Sequence, residues 1–172
     1  MTTPAPHKYF PVSWEELHRN AKALAWKLHD IGPWKGLIAV TRGGLVPAAI
    51  VARELEIRLI ETVGVVSRST SDGSASLPQE TTSVLKKPFD TGDGEGWLIV
   101  DDLVDTGRTV GILRPLFPRA HFAAVYTKPM GKPLVDTFIT EVSQDTWIYL
   151  PWDMEVQVAQ PIAAQRRDGQ KS

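Results

Sequence analysis

Apolar and polar positions along this chain alternate between a helical spacing and short unbroken apolar runs. A capping box, Ser13-Trp-Glu-Glu16, begins the first helical pattern, and Gly32-Pro33 ends it. The apolar residues between these two signals recur every three or four positions: Trp14, Leu17, Ala21, Leu24, Ala25, Leu28 and Ile31. Pro47 suits the first turn of a second helix, which we expect to end near Leu55.

Unbroken apolar runs of strand length predict the strands Leu37–Val40, Ile57–Val66, Trp97–Val100, Phe122–Tyr126, Phe138–Val142 and Trp147–Leu150. Strands that are apolar on both faces are typical of parallel sheets covered on both sides. Because strands alternate with helices, we predict a single α/β domain, with a mostly parallel twisted sheet flanked by helices. Its core spans about residues 9–161, and residues 162–172 read as a polar tail.

The segment Ser67–Ser83 interrupts this pattern. It holds nine Ser or Thr among seventeen residues and shows no apolar periodicity, so it predicts a long flexible loop. Loops of this length are lids, binding loops or tolerated surface insertions. The composition leaves two alternatives open, a lid that closes over a reactive site and a tolerated surface insertion.

Composition narrows the classes of function. A net charge of −1 argues against a broad surface for nucleic acid, and the absence of cysteine excludes disulfides and thiolate chemistry. No apolar run reaches the length of a membrane span, and Met1–Lys8 lacks the apolar core of a signal peptide. We therefore expect a cytoplasmic protein of one domain.

The stretch Trp97–Thr109 carries the strongest chemical signal. Four apolar residues lead into the adjacent acids Asp101 and Asp102, and a third acid, Asp105, precedes Thr106-Gly107-Arg108-Thr109. In open α/β sheets, ligands lie beyond the carboxyl ends of the strands. A Thr- and Gly-rich loop that enters a helix offers N–H groups and hydroxyls to a phosphate. Acids for sugar hydroxyls or a metal, followed by a phosphate loop, indicate a phosphorylated sugar as ligand.

This stretch resembles the phosphoribosyl-pyrophosphate (PRPP) signature of the type I phosphoribosyltransferases. The segment Val40–Pro47 resembles the pyrophosphate loop of that family. Three further segments resemble a bacterial branch that acts on 6-oxopurines: Lys128–Asp136, Gln144–Ile148 and Pro151–Met154. The resemblance covers about Trp14 to Pro161.

The resemblance implies transfer of 5-phosphoribosyl from PRPP to a purine, with Mg²⁺ as cofactor. The implied PRPP-binding residues are Arg42, Gly43, Asp101, Asp102, Leu103, Val104, Asp105, Thr106, Gly107, Arg108 and Thr109. Asp102 is implied in metal binding and Asp101 in contacts to the ribose hydroxyls. Similar enzymes also carry a non-proline cis peptide at the pyrophosphate loop. They close their site with a flexible loop at the place of Ser67–Ser83, so the resemblance favours the lid.

The same resemblance implies a base site for guanine, xanthine or, less well, hypoxanthine. Asp105 would exchange a proton near purine N7, although an Asp at this place is also a common helix cap. Lys128 would donate to O6, although a lysine after a strand is usually solvated. Trp147 would stack on the base and the Ile148 backbone would read its 2-position, although a Trp in an apolar strand is usually core.

The sequence departs from the branch at two places. Arg108 stands where the most similar relatives carry Gly, and Glu80 stands where their loop carries a phosphate-binding Arg. Two alternatives stay open: a related enzyme for hypoxanthine and guanine or for another base, and a PRPP-sensing regulator. The resemblance also implies a homotetramer, and it raises weak peripheral association with the inner membrane.

Overall fold

A computed structural model describes residues 8–70 and 79–154; of residues 67–70 and 79–81 it describes only the backbone. Contacts divide the chain into two compact units. The larger unit is His18–Gln144, and the described part of the smaller one is residues 8–17 and 145–154. Among the described helices, none is long and apolar enough to cross a membrane.

The larger unit is built on a six-stranded sheet. Its strands are β2 (Gly36–Thr41), β3 (Ile60–Thr70), β4 (Gln79–Lys86), β5 (Trp97–Val104), β6 (His121–Thr127) and β7 (Thr137–Glu141). Their spatial order is β4-β3-β2-β5-β6-β7, and every neighbouring pair is parallel except β3 with β4. The predicted mostly parallel sheet is therefore confirmed.

Three α-helices accompany the strands in the described part of the chain: α1 (Trp14–His29), α2 (Leu45–Glu54) and α3 (Arg108–Leu113). The central strands β2 and β6 are buried almost without interruption, as strands covered on both faces must be. A core cluster of apolar residues, among them Ile38, Ile99 and Phe122, lies within the larger unit. The loops of the candidate site begin where strands of this sheet end.

The prediction of a loop without regular structure over Ser67–Ser83 was wrong for the described residues. Strand β3 continues to Thr70, and β4 begins at Gln79 and pairs with it in antiparallel register. The prediction rested on the lack of apolar periodicity. Antiparallel pairing, however, satisfies the backbone hydrogen bonds of a Ser- and Thr-rich segment whether or not its side chains are apolar. Residues 71–78 lie outside the described part, so the lid role of this segment stays a prediction.

The smaller unit contains a second, two-stranded parallel sheet, which the sequence did not predict. Strand β1 (Lys8–Pro11) pairs with β8 (Thr146–Tyr149), so that Tyr9 lies opposite Trp147. The rings of Tyr9 and Tyr149 stack with their centroids 5.6 Å apart. The predicted strand Trp147–Leu150 is thus real but does not belong to the main sheet. The predicted tail, residues 162–172, lies outside the described part.

Candidate active site

Two loops begin at the carboxyl ends of the neighbouring strands β2 and β5. After β2 the chain continues outward to β3, whereas β5 lies on the other side of β2, so the strand order reverses between β2 and β5. Ligands of open α/β sheets bind at such a reversal, because the flanking loops diverge there and leave a crevice. The Arg42-Gly43 loop follows β2, and the loop Asp105–Gly107 follows β5.

The peptide bond between Thr41 and Arg42 is cis, as the family resemblance predicted for this loop. Gly43 lies directly against the carboxylate of Asp102: a methyl group added at its Cα would overlap both oxygens of that carboxylate. The missing side chain therefore lets the β2 loop approach the acid pair of β5. The Arg42 side chain is exposed.

The two adjacent acids lie within β5, not after it, because the strand runs to Val104 and not to Val100 as predicted. The Asp102 N–H donates to Asp101 Oδ1 at 2.9 Å, and the Leu103 N–H donates to Asp102 Oδ1 at 2.7 Å. Burial raises the pKa of Asp101 well above its usual value, and the neighbouring Asp102 carboxylate raises it further. Two such carboxylates favour a ligand that brings positive charge or hydroxyl donors.

A cavity of about 240 Å³ lies beyond β5 and is lined by Asp101, Leu103, Val104, Asp105, Thr106, Gly107, Arg108 and Thr109. Gly107 has a φ of 82°, which side chains rarely tolerate, and it directly precedes α3. An added methyl group there would also lie 2.6 Å from Leu134 Cδ1. The first turn of a helix presents N–H groups that the helix itself does not use, and these suit the oxygens of a phosphate.

A larger cavity, about 600 Å³, lies at the other end of the strands. Its lining comes from the segments before β2 and before β3, including Trp34, Lys35 and Arg58. It contains neither the acid pair nor the Gly107 loop. We therefore place the chemistry in the cavity beyond β5, because of these two cavities it is the one in which carboxylates and a phosphate-type loop occur together.

The structure brings Asp105 and Lys128 together, although 23 residues separate them. Lys128 Nζ donates to Asp105 Oδ2 at 2.9 Å, and the lysine side chain is only 6% exposed. Lys128 is therefore not the solvated charge that the alternative reading required. Asp105 is not a helix cap either, since Gly107 occupies that position and no side chain caps α3.

Gln144 completes the surroundings of Asp105, and the sequence analysis gave it no role. Its Nε2 donates to Asp105 Oδ1 at 2.7 Å, and its Oε1 accepts from the Met130 N–H at 3.0 Å. No local sequence signal could have revealed this contact, because Gln144 lies 39 residues after Asp105. Only the arrangement of the loops after β5, β6 and β7 brings these groups together.

The two remaining predicted residues, Trp147 and Ile148, lie in β8 of the smaller unit. Trp147 is 55% exposed and Ile148 is 6% exposed. The alternative reading of Trp147 as a core residue is therefore wrong. Within residues 8–70 and 79–154, no group of three or more His, Asp or Glu side chains forms a metal cage.

Comparison with known proteins identifies the family. The phosphoribosyl transferase domain matches residues 13–159. A xanthine-guanine phosphoribosyltransferase of Nitratidesulfovibrio vulgaris (strain DP4) is 58% identical over 158 residues, which are 92% of this chain and 93% of that protein. One from Desulfotalea psychrophila is 57% identical over 153 residues, covering 89% of this chain and 91% of the relative.

Solved structures of other phosphoribosyltransferases share the fold of this chain. A purine phosphoribosyltransferase from Pyrococcus horikoshii superposes with a TM-score of 0.71 at 24% identity, over 90% of this chain and 99% of that one. A Helicobacter pylori xanthine-guanine-hypoxanthine phosphoribosyltransferase gives a TM-score of 0.68 at 19% identity, over 94% and 99% of the two chains. The motifs at the β2 and β5 loops, the parallel sheet and the match over residues 13–159 lead to one conclusion: the chain belongs to the phosphoribosyltransferase family.

Proposed function

We propose that this protein transfers 5-phosphoribosyl from PRPP to N9 of guanine or xanthine, and less well of hypoxanthine. The products are the nucleoside 5′-monophosphate and pyrophosphate, as in purine salvage. The observation that carries the proposal is the convergence of the Arg42-Gly43 loop on Asp102, beside the cavity lined by Asp105–Thr109. Identity of 58% to a xanthine-guanine phosphoribosyltransferase supports the same reaction.

The reaction breaks the bond between ribose C1′ and the pyrophosphate oxygen and forms a bond from C1′ to purine N9, with inversion. Positive charge builds on the ribose ring while negative charge grows on the leaving pyrophosphate, so catalysis needs positioning and preorganised charge. Arg42 and Gly43 would hold the pyrophosphate. The residues Thr106, Gly107, Arg108 and Thr109 would bind the 5′-phosphate, and Asp101 would hold the ribose hydroxyls.

Asp105 and Lys128 would handle the base. A purine that is glycosylated at N9 must release a proton, and a carboxylate near N7 can accept or hold it. An ammonium has three donors, so the contact of Lys128 with Asp105 leaves donors for the O6 of a 6-oxopurine. We assign Trp147 as the stacking residue and the Ile148 backbone as the reader of the 2-position on the family resemblance.

The carboxylates of Asp101 and Asp102 fit Mg²⁺, which prefers one or two carboxylates plus water and substrate phosphates over a full protein cage. Because Gly43 has no side chain, the β2 loop approaches the Asp102 carboxylate through its backbone at that position. Asp102 would hold the ion, and Asp101 beside it would face the ribose hydroxyls. When bound, Mg²⁺ would neutralise charge that develops on the leaving pyrophosphate.

The proposal further includes a homotetramer, on the family resemblance, and a location in the cytoplasm, on the composition of the chain. Sedimentation equilibrium of the purified protein tests the assembly.

Steady-state formation of nucleotide from PRPP and each of five bases, at fixed Mg²⁺, tests the proposed function. Guanine and xanthine should be good substrates, hypoxanthine weaker, and adenine and uracil poorer by at least about 10³-fold in kcat/KM. A 6-amino group would set two donors against the Lys128 ammonium and leave a buried mismatch. Equal rates with adenine would contradict the 6-oxopurine assignment, and no turnover with any base would point to a PRPP-binding regulator.

A further inference from the structure

The side chain of Gln144 joins two loops of the larger unit. We propose that Gln144 is a positioning residue, which fixes the direction of the Asp105 carboxylate toward the base. This inference rests on the proposed function, because it gives Gln144 a role only if Asp105 exchanges a proton with the purine. It adds a residue to the machinery that neither the signature nor the base-contact residues include.

The contacts of Gln144 fix which way its amide points. Its Oε1 accepts the Met130 N–H at 3.0 Å, and its Nε2 donates to Asp105 Oδ1 at 2.7 Å. If the amide were rotated by half a turn, its oxygen would face a carboxylate and its NH₂ group would face an N–H. Both contacts would then be repulsive, so a backbone donor after β6 determines that a side-chain donor faces Asp105.

The two oxygens of Asp105 have different partners. Oδ2 accepts from the Lys128 ammonium at 2.9 Å, whereas Oδ1 accepts from the neutral Gln144 amide. An ammonium is a compact charge with rotatable donors and holds a carboxylate with little directional preference. The planar Gln144 amide, which is hydrogen-bonded through both its oxygen and its nitrogen, does constrain the direction of the Asp105 carboxylate. With one partner on each oxygen, the plane of the carboxylate is fixed, which a single partner would not achieve.

The exposure of the Asp105 side chain explains why such a constraint matters. The Lys128 side chain is almost completely buried, whereas the Asp105 side chain is 46% exposed and faces the cavity. A half-exposed carboxylate on a loop that follows a strand has freedom to rotate about its χ angles. A proton transfer requires the acceptor to be within hydrogen-bond reach of the base, so a loss of direction lowers the rate of the chemical step.

The experiment compares four proteins in steady-state assays with guanine and PRPP: wild type, Gln144→Leu, Asp105→Asn and the double variant. Leu keeps the approximate size of Gln but has neither a donor nor an acceptor. We expect Gln144→Leu to lower kcat about 10-fold, the scale of one lost hydrogen bond at a reacting group, with the KM for PRPP within about twofold. The double variant should be no slower than Asp105→Asn, because Gln144 acts through Asp105.

Two further variants make the test specific. Gln144→Glu places a carboxylate against Asp105 and should lower kcat more than Gln144→Leu does. Glu141→Gln is the matched control: Glu141 is the last residue of β7, in the same segment as Gln144, and the change removes an exposed ion pair with Lys132 that is 2.6 Å long. Its kcat should equal that of the wild type.

The role of Gln144 is overturned, while the proposed function stands, if the wild type is active and Asp105→Asn is impaired but Gln144→Leu retains wild-type kcat. It is also overturned if the losses from the two single variants multiply in the double variant, because a purely structural role predicts independent effects. A wild type that makes no nucleotide from any 6-oxopurine overturns the proposed function, and the role of Gln144 is rejected with it. The two failures are therefore distinguishable.

Discussion

At the scale of single residues, the candidate base site is organised around one ion pair. The Lys128 ammonium is almost fully buried, and a buried cation is tolerated only beside a partner that offsets its lost hydration. Asp105 is that partner, and the exposed part of its carboxylate remains available to a ligand. The same contact thus satisfies the buried Lys128 side chain and places a carboxylate beside the donor for a base oxygen.

We predict that Asp105→Asn lowers kcat about 10²–10³-fold, the range for loss of a general acid–base group. Asn keeps the size of the side chain and one acceptor, so binding of PRPP should change little. Initial rates with guanine measure the loss of kcat, and a separate measurement of PRPP affinity checks that binding is unchanged. Asp30→Asn, at an exposed position just after α1, is the control. A rate within about threefold of wild type would show that Asp105 is not a catalyst.

At the scale of elements, α1 follows the sequence pattern closely. The capping-box serine accepts the Glu16 N–H at 3.1 Å, and the helix ends at His29, just before Gly32-Pro33. Leu24 and Leu28, at helical spacing, are completely buried. Local signals at both ends and an apolar stripe between them were sufficient here, because a helix makes its hydrogen bonds within its own segment.

We predict that Leu24→Ala lowers the free energy of unfolding by about 2–5 kcal/mol, since it removes the side-chain atoms beyond Cβ from a fully buried site and leaves a cavity. Urea unfolding followed by circular dichroism measures the change. Arg19→Ala, on an exposed position of the same helix, should change the stability by less than about 0.5 kcal/mol. Equal effects of the two substitutions would mean that α1 is not anchored by its apolar face.

At the scale of the whole chain, the larger unit contains a histidine whose charge is coupled to folding. His121 begins β6, where its Nε2 lies 2.7 Å from Thr137 Oγ1 and its ring lies 5.3 Å from that of Trp34. Burial lowers the pKa of His121 below its usual value of 6.5; nearby Asp136 opposes this shift, and Arg114 adds to it. The folded protein therefore favours the neutral imidazole.

This shift predicts how stability changes with pH. Because the folded pKa is the lower one, the unfolded chain binds more protons between the two pKa values, and the free energy of unfolding rises with pH there. The contribution of His121 to the free energy of unfolding is fully present above the pKa of its unfolded state and is lost as the pH falls through the pKa of its folded state. Urea unfolding between about pH 7.5 and pH 5.5 should show a weaker loss of stability for His121→Gln than for the wild type. Identical pH dependences would contradict the prediction.

The sequence by itself determined the class of the fold and most of the candidate site. Apolar runs and helical spacing located the parallel strands and α1, and the PRPP signature indicated the loop after β5, because these signals are local. The tertiary structure decided what depends on distant pairs: the β3–β4 pairing over Ser- and Thr-rich residues, the β1–β8 sheet, the contact of Gly43 with Asp102, and the meeting of Asp105 with Lys128 and Gln144. Strand pairing and loop convergence join residues that are far apart in the chain, so no window of sequence contains the information that specifies them.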